Sequence, residues 1–276
     1  MLSLRQLPGG RGICLLAIGL LSLLGGTSAS ANGPYEDAAR ISAFTRAQQR
    51  PAVLSSITRT DGEDLDASFF WLAAQFSLKS KFLVQTEIPY ISLATDDDIE
   101  GGFGDIRVRA KARVWSGGGG ALFVVGSVRF GSGSNALFPY STQSTDYEAG
   151  IGFVDTVGTR DVEGRPRPFS SFSFWLRSTG VYVTRLADRL KKADLHETHL
   201  TLAGGVIFPV FRRIELEIGG LGFRFRSGVV REIYFSQLSW GYSPSTELFA
   251  TLQAERAAKQ ERASNVGVVA GLQVTF

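Results

Sequence analysis

The chain has 276 residues, with 29 Lys and Arg against 26 Asp and Glu, one cysteine, one methionine, 32 glycines and 20 phenylalanines. So small a charge excess makes nucleic acid no natural partner, and one cysteine excludes a disulfide framework. Mean hydropathy is slightly positive at +0.06, yet beyond the N-terminus no stretch approaches the roughly 20 apolar residues of a membrane helix.

Taken from the start, Arg5 and Arg11 lead into an apolar run from Ile13 to Leu24, followed by small residues ending in Ala29-Ser30-Ala31. This is the order of a secretory signal, so residues 1–31 are expected to be removed after Ala31. The apolar run is too short for a membrane anchor. Cys14 lies at the front of that run and leaves with it. Loss of two arginines and no acid takes the formal charge from +3 to +1.

Residues 32–50 follow, with Ala38, Ile41 and Phe44 at helical spacing. They read either as a short helix entering a lumen or resting at a periplasmic rim, or as a disordered leader.

From residue 51 to 276 the apolar period is two almost throughout. Twelve strands are expected, over 52–59, 67–78, 82–91, 103–115, 120–131, 146–157, 169–184, 198–208, 212–226, 229–242, 246–256 and 264–276. Most reach about ten residues, the length of a tilted membrane-crossing strand rather than the five or six usual in soluble sheets. The expected fold is therefore all-β: one domain, an antiparallel transmembrane β-barrel of about 12 strands. A secreted β-sandwich is the alternative on composition.

The connections alternate as an outer-membrane barrel requires. Those at 79–81, 116–119, 209–212 and 243–245 are tight, and those at 60–66, 92–102, 132–145, 185–197 and 257–263 are longer and polar. Two break the rule: "GTRDVEGRPRP" at 158–168 is long for a periplasmic turn, and Ser227-Gly228 is short for an outer loop.

The stretch "GGFGDIRVRAKARVW" at 101–115 alternates Asp105, Arg107, Arg109, Lys111 and Arg113 with small apolar residues. Facing lipid, each cation would cost about 2–4 kcal/mol near the midplane, so the charged face is assigned to the lumen. Arg129 joins this basic wall from the next strand, while Glu215, Glu217, Glu247 and Glu255 form an acidic wall nearly opposite. The expectation is either a transverse field across an open pore or a network of charge pairs that plugs it. After Ile218 the apolar phase changes from even to odd positions, and Gly219-Gly220 offers a bulge where it would slip. Tyr90, Trp115, Phe130, Tyr182, Trp240, Tyr242 and Phe276 fall near strand ends, where an interface girdle sits.

Other chemistry has thin support. The acidic loop with Asp96, Asp97, Asp98 and Glu100 matches no complete calcium-loop pattern. His196 and His199 have no further ligands at motif spacing, so neither a metal nor a cofactor is expected. No G-x-S-x-G occurs, and no catalytic residue is assigned. The closing strand, "VGVVAGLQVTF", ends in Phe276, as in the C-terminal signal read by the outer-membrane barrel assembly machinery.

One stretch carries a resemblance. Ile88-Pro89-Tyr90, then a loop, then Gly102-Phe103-Gly104-Asp105 and Lys111 resemble a family of Gram-negative outer-membrane β-barrels, transporters associated with the meta-cleavage pathway of phenol degradation. The family's Pro-Thr-Gly after the next strand is replaced here by Phe130-Gly131-Ser132. The resemblance implies an outer-membrane transport barrel with aromatic substrates by association. Together these readings point to a non-enzymatic channel or transporter for passive passage of small molecules, including aromatic or hydrophobic ones. Its partners would be outer-membrane lipids and lipopolysaccharide, the assembly machinery and a small-molecule substrate. A closed barrel with a structural or surface role, and a lipid-modifying outer-membrane enzyme, are the alternatives.

Overall fold

The structure, a computed structural model, describes residues 38–46, 51–60, 66–78, 81–94, 99–134, 137, 141, 145–160, 166–183, 198–226, 228, 230–257 and 265–276. Among these residues one helix, α1 (Ala38–Arg46), precedes β1 (Ala52–Thr60), β2 (Asp66–Leu78), β3 (Phe82–Ala94), β4 (Ile99–Phe103), β5 (Ile106–Gly117), β6 (Gly120–Phe130) and β7 (Asp146–Arg160). Then come β8 (Pro166–Val183), β9 (His199–Phe211), β10 (Ile214–Phe225), β11 (Val230–Ser243), β12 (Thr246–Ala257) and β13 (Asn265–Thr275).

The sheet closes on itself. β1 pairs antiparallel with β2 on one side and with β13 on the other, so Leu54 lies between Ala73 and Gln273. β3 pairs with β4 through Tyr90–Ala94 and with β5 through Phe82–Glu87. β4 and β5 are thus one wall strand broken at Gly104-Asp105, where the Gly104 amide donates to the Pro89 carbonyl at 2.9 Å. The result is a closed antiparallel barrel of twelve wall strands. Closure gives every wall strand a partner on both sides, the condition for a sheet to stand in hydrocarbon.

Alternation then divides the side chains. Val53, Ile57, Phe70, Leu72, Phe76, Ile151, Leu176, Leu202, Ile218 and Leu238 all point outward and are exposed. A soluble surface rarely carries so continuous an apolar band, whereas lipid requires one. Tyr90, Trp115, Phe130, Tyr182, Tyr242 and Phe276 are exposed near the strand ends, and half-buried Trp240 meets Tyr242 edge to face at 5.6 Å. Trp115 reaches this outer face through a bulge. The β5–β6 register shifts between Arg113 and Trp115, so Val114 and Trp115 are both exposed; re-aiming a side chain is a common result of one extra residue.

Three expectations are corrected or sharpened. The stretch 158–168 is not a long turn: β7 runs to Arg160 and β8 starts at Pro166, and the two pair as far as Arg160 with Pro166. Pairing of β7 with β6 stops at Val154 and of β8 with β9 at Ser173, so this hairpin projects beyond its neighbours. The short link after β10 is real, with the Gly228 amide donating to the Phe225 carbonyl at 3.0 Å.

The bulge expected at Gly219-Gly220 is absent. β10 keeps one register with β11 from Ile214 to Arg224, and with β9 from Glu215 to Phe225. The apolar phase changes because Leu221 and Phe223 point inward and are buried, while Ile218 points outward. Gly219 serves a different purpose: the ring of Phe235, its partner on β11, lies where a side chain would stand, 2.6 Å from an ideal Cβ. Arg224 and Arg226 are exposed at the rim.

The same device recurs around the lumen. Phe123 covers Gly152, Trp175 covers Gly205 and Phe249 covers Gly271, each pair directly opposite across neighbouring strands. A glycine inside a strand often marks such a close approach. With the rings flat against the wall, the middle of the barrel is left to other residues.

A candidate lumenal site around helix α1

Helix α1 occupies that middle. Ile41 packs with Trp175, Ile207, Leu221, Phe223, Ile233 and Phe235 of β8 to β11. Ala43 packs against Leu54, Ala73, Phe249 and Val269 of β1, β2, β12 and β13. Phe44 packs with Leu83, Phe123 and Val125 of β3 and β6. Three apolar side chains of one short helix therefore touch three sectors of the wall. A nine-residue helix is not stable alone in water, so these contacts hold it.

Polar contacts fix its orientation. Ser42 Oγ donates to Glu217 Oε1 at 2.6 Å, and Arg46 reaches Glu217 at 2.5 Å and Glu215 at 3.2 Å. From the other side Lys111 Nζ donates to the Phe44 carbonyl at 2.9 Å and the Thr45 carbonyl at 3.0 Å. These carbonyls belong to the last turn, where intrahelical donors run out and the helix dipole favours a cation. Phe44 is ringed by charge, with Arg109, Lys111 and Arg177 lying 5.7, 5.6 and 5.8 Å from its centroid. Burial opposes the charge on Arg46, and the carboxylates of Glu217, Glu215 and Glu247 outweigh it, raising its pKa.

The charged residues expected from the sequence lie in several different environments. Arg109 is 1% exposed and bridges to Glu87 at 3.2 Å. Arg129 pairs with Asp146 on β7, and Glu255 with Arg231 on β11. Glu217 is 1% exposed and Glu215 half-buried, both on Arg46; Glu247, half-buried, lies within the field of the same guanidinium. Arg107 and Arg113 are half-buried at the two ends of the basic row. Asp105 is buried and accepts from the Gly133 amide at 3.0 Å and Ser141 Oγ at 2.9 Å. It ties the connection after β6 to the break between β4 and β5, while Leu137 of that connection is buried against Phe69, Ile91 and Leu93.

The expected contrast of a basic wall with a facing acidic wall is corrected in one respect. Glu87 sits beside Arg109, Asp146 beside Arg129, and Glu148 beside Arg177, so the basic sector carries its own acids on neighbouring strands. Buried charges require such partners. The charges meet across the lumen through α1, which takes Lys111 at one side and Glu217 at the other.

Sequence reasoning passed over Glu87, Asp146, Glu148, Trp175, Arg177 and Arg231, and over Ser42 and Arg46 on the helix. Strand alternation alone puts Glu87, in "QTEIPY", on the same face as Gln85. Nothing local announces the Ser42 contact, because Glu217 lies 175 residues away. Beside the helix a small cleft remains, no larger than a water molecule, against Leu54, Gln75, Gln85 and Gln273; Gln85 Oε1 there has no hydrogen-bond partner among the described residues. His199 packs edge-on against Phe223 at 5.9 Å and near Phe225 at 5.1 Å. His196 and Asp96–Asp98 lie outside the described residues.

No protein-family model and no curated protein matches the sequence, so the narrower resemblance to the phenol-pathway barrels has no matching family model behind it. Solved structures do match in fold. The COG4313 outer membrane channel from Pseudomonas putida F1 superposes with a TM-score of 0.61 at 10% identity, over 82% of this chain and 96% of that one. The KdgM porin gives 0.55 at 11% identity, over 82% and 99%. The NanC porin gives 0.55 at 10% identity, over 82% and 100%. At these identities the likeness is one of fold: this chain shares the architecture of outer-membrane channels and porins.

Proposed function

We propose that the chain is an outer-membrane channel for small molecules that selects by electrostatics and carries out no catalysis. The observation that carries this reading is the two-faced wall, which turns an apolar band outward and keeps Arg109, Lys111, Arg177 and Glu217 inside. A soluble sandwich would bury the first face and wet the second. In this reading residues 1–31 direct export, the barrel spans from residue 51, and residues 32–50 supply the lumenal segment.

The partners follow from the outer surface. The apolar band contacts membrane lipids, lipopolysaccharide meets the outer rim, and Phe276, 77% exposed at the end of β13, addresses the assembly machinery. For the substrate, aromatic or hydrophobic small molecules suit the inward-facing Phe69, Trp71, Trp175, Phe223 and Phe235. The KdgM porin has been solved in complex with disordered oligogalacturonate, so polar solutes belong in the test beside aromatic ones. The channel reading is tested by permeation of salts and of benzoate-sized solutes into proteoliposomes holding the refolded protein, with and without residues 38–46. Passage in either form supports a channel. No passage in either form, with the barrel folded and inserted, leaves the closed structural barrel, a reading favoured by the helix that fills the lumen.

A further inference from the structure

We propose that helix α1 is a removable plug. Seated between Glu217 and Lys111 it closes the lumen, and release of those two contacts opens a passage that exposes this carboxylate and this cation on opposite sides. This rests on the channel reading above and adds a regulated state to it.

The seat is built for one occupant, this chain's own Ala38–Arg46. One side offers a buried carboxylate, Glu217, whose two oxygens receive Ser42 Oγ, Arg46 and the Trp175 indole at 2.6, 2.5 and 2.6 Å. The opposite side offers a cation, Lys111, aimed at the last-turn carbonyls of Phe44 and Thr45. A helix whose C-terminal turn carries Arg46 and leaves carbonyls free satisfies both sides at once. An ordinary core filler would not need charge from either side.

Its attachment suits release. Ile41, Ala43 and Phe44 each engage a different sector through one apolar side chain, and a helix this short does not persist once detached. Only residues 47–51 separate Arg46 from the wall strand β1 at Ala52. That tether limits the excursion to roughly 20 Å and keeps the helix at a high local concentration near its seat. Reclosure is therefore an intramolecular event.

Removal also changes what a solute meets. With α1 seated, a water-sized cleft lies on its uncharged side, against Leu54, Gln75, Gln85 and Gln273. With α1 gone, Lys111 loses both carbonyls and Glu217 loses Ser42 and Arg46, so one cation and one carboxylate face each other across water. The open state should favour ions and the plugged state should exclude them.

The test uses single-channel recording of the mature chain in planar bilayers beside the variants R46A, E217Q and a deletion of residues 38–46. Heat-modifiable gel mobility and far-ultraviolet circular dichroism establish that each barrel is folded. The expected result is a mature chain that is mostly closed. R46A and E217Q should be open about tenfold more of the time, the change associated with one charged hydrogen bond, and the deletion should be permanently open. A synthetic peptide of residues 38–46, added from the turn side, should close the deleted channel, whereas its R46A version should not. Equal conductance of the mature chain and the folded deletion overturns the plug while leaving the channel. Silence of both overturns the channel reading itself. Failure of the peptide to close an open deletion channel overturns the seat.

Discussion

Trp175 and Glu217 stand on strands that do not pair, β8 and β10, yet the indole nitrogen donates to the carboxylate at 2.6 Å. The bridge crosses β9 at Gly205, the residue opposite Trp175 in the β8–β9 register. An ideal Cβ at that position would lie 2.7 Å from the indole nitrogen and 3.0 Å from Glu217 Oε1. The glycine is what allows an indole to lie flat over one strand and hold the carboxylate that receives α1.

The first prediction concerns this glycine. Gly205→Ala should displace Trp175 and lose its bond to Glu217, destabilising the barrel by about 1–3 kcal/mol. Equilibrium unfolding in urea with detergent micelles measures it, and a red-shifted tryptophan emission should accompany the loss. A mutant as stable as the parent, with unchanged emission, would count against the bridge.

Arg109 and Glu87 give the second. Both are about 1% exposed, and removing one partner from a buried pair costs about 3–5 kcal/mol. Glu87→Gln should therefore lower stability strongly, whereas Glu87→Gln with Arg109→Met should recover much of the loss. The unfolding midpoints of the four forms complete a double-mutant cycle, and strict additivity would refute the pairing.

Asp105 gives the third. Asp105→Ala removes the acceptor for the Gly133 amide and Ser141 Oγ, so the connection after β6 should loosen while the wall stays intact. Limited proteolysis of the folded barrel should then cut between residues 131 and 145 several-fold faster. Unchanged cleavage would show that the Asp105 bonds do not hold this connection.

The fourth prediction separates the middle of the wall from its rim. Leu176 and Leu200 are both 52% exposed on the outer face, but Leu176 lies mid-strand on β8 and Leu200 at the end of β9. Leu176→Arg should cost about 2–4 kcal/mol in a bilayer and Leu200→Arg about 0–1 kcal/mol. Unfolding titrations in liposomes give both values, and equal costs would argue against the membrane placement.

The wall was legible because its signals are local. Period-two alternation, strand length and turn chemistry each act over a few residues, and they placed every wall strand within a few residues of its observed ends. The inward row Arg107, Arg109, Lys111 and Arg113 followed from the cost of cations in lipid. What was not legible depends on partners distant in sequence. Leu221 and Phe223 looked lipid-facing because they are apolar; they point inward since Ile41 of α1 needs an apolar seat there. Gly219 looked like a bulge because the ring that covers it sits on the next strand. The role of Glu217 depends on Ser42, Arg46 and Trp175, which no local pattern joins to it.

Which face of the wall meets lipid decides the rest, and site-specific quenching reads it. In a Cys14-free chain, single cysteines at 72, 151, 176 and 238 and at neighbouring inward positions 73, 152, 177 and 237 would carry a bimane label in liposomes containing brominated lipids. Strong quenching at the first set and little at the second is the expected result. Quenching without alternation, or stronger at the inward set, would contradict the two-faced wall and the channel with it.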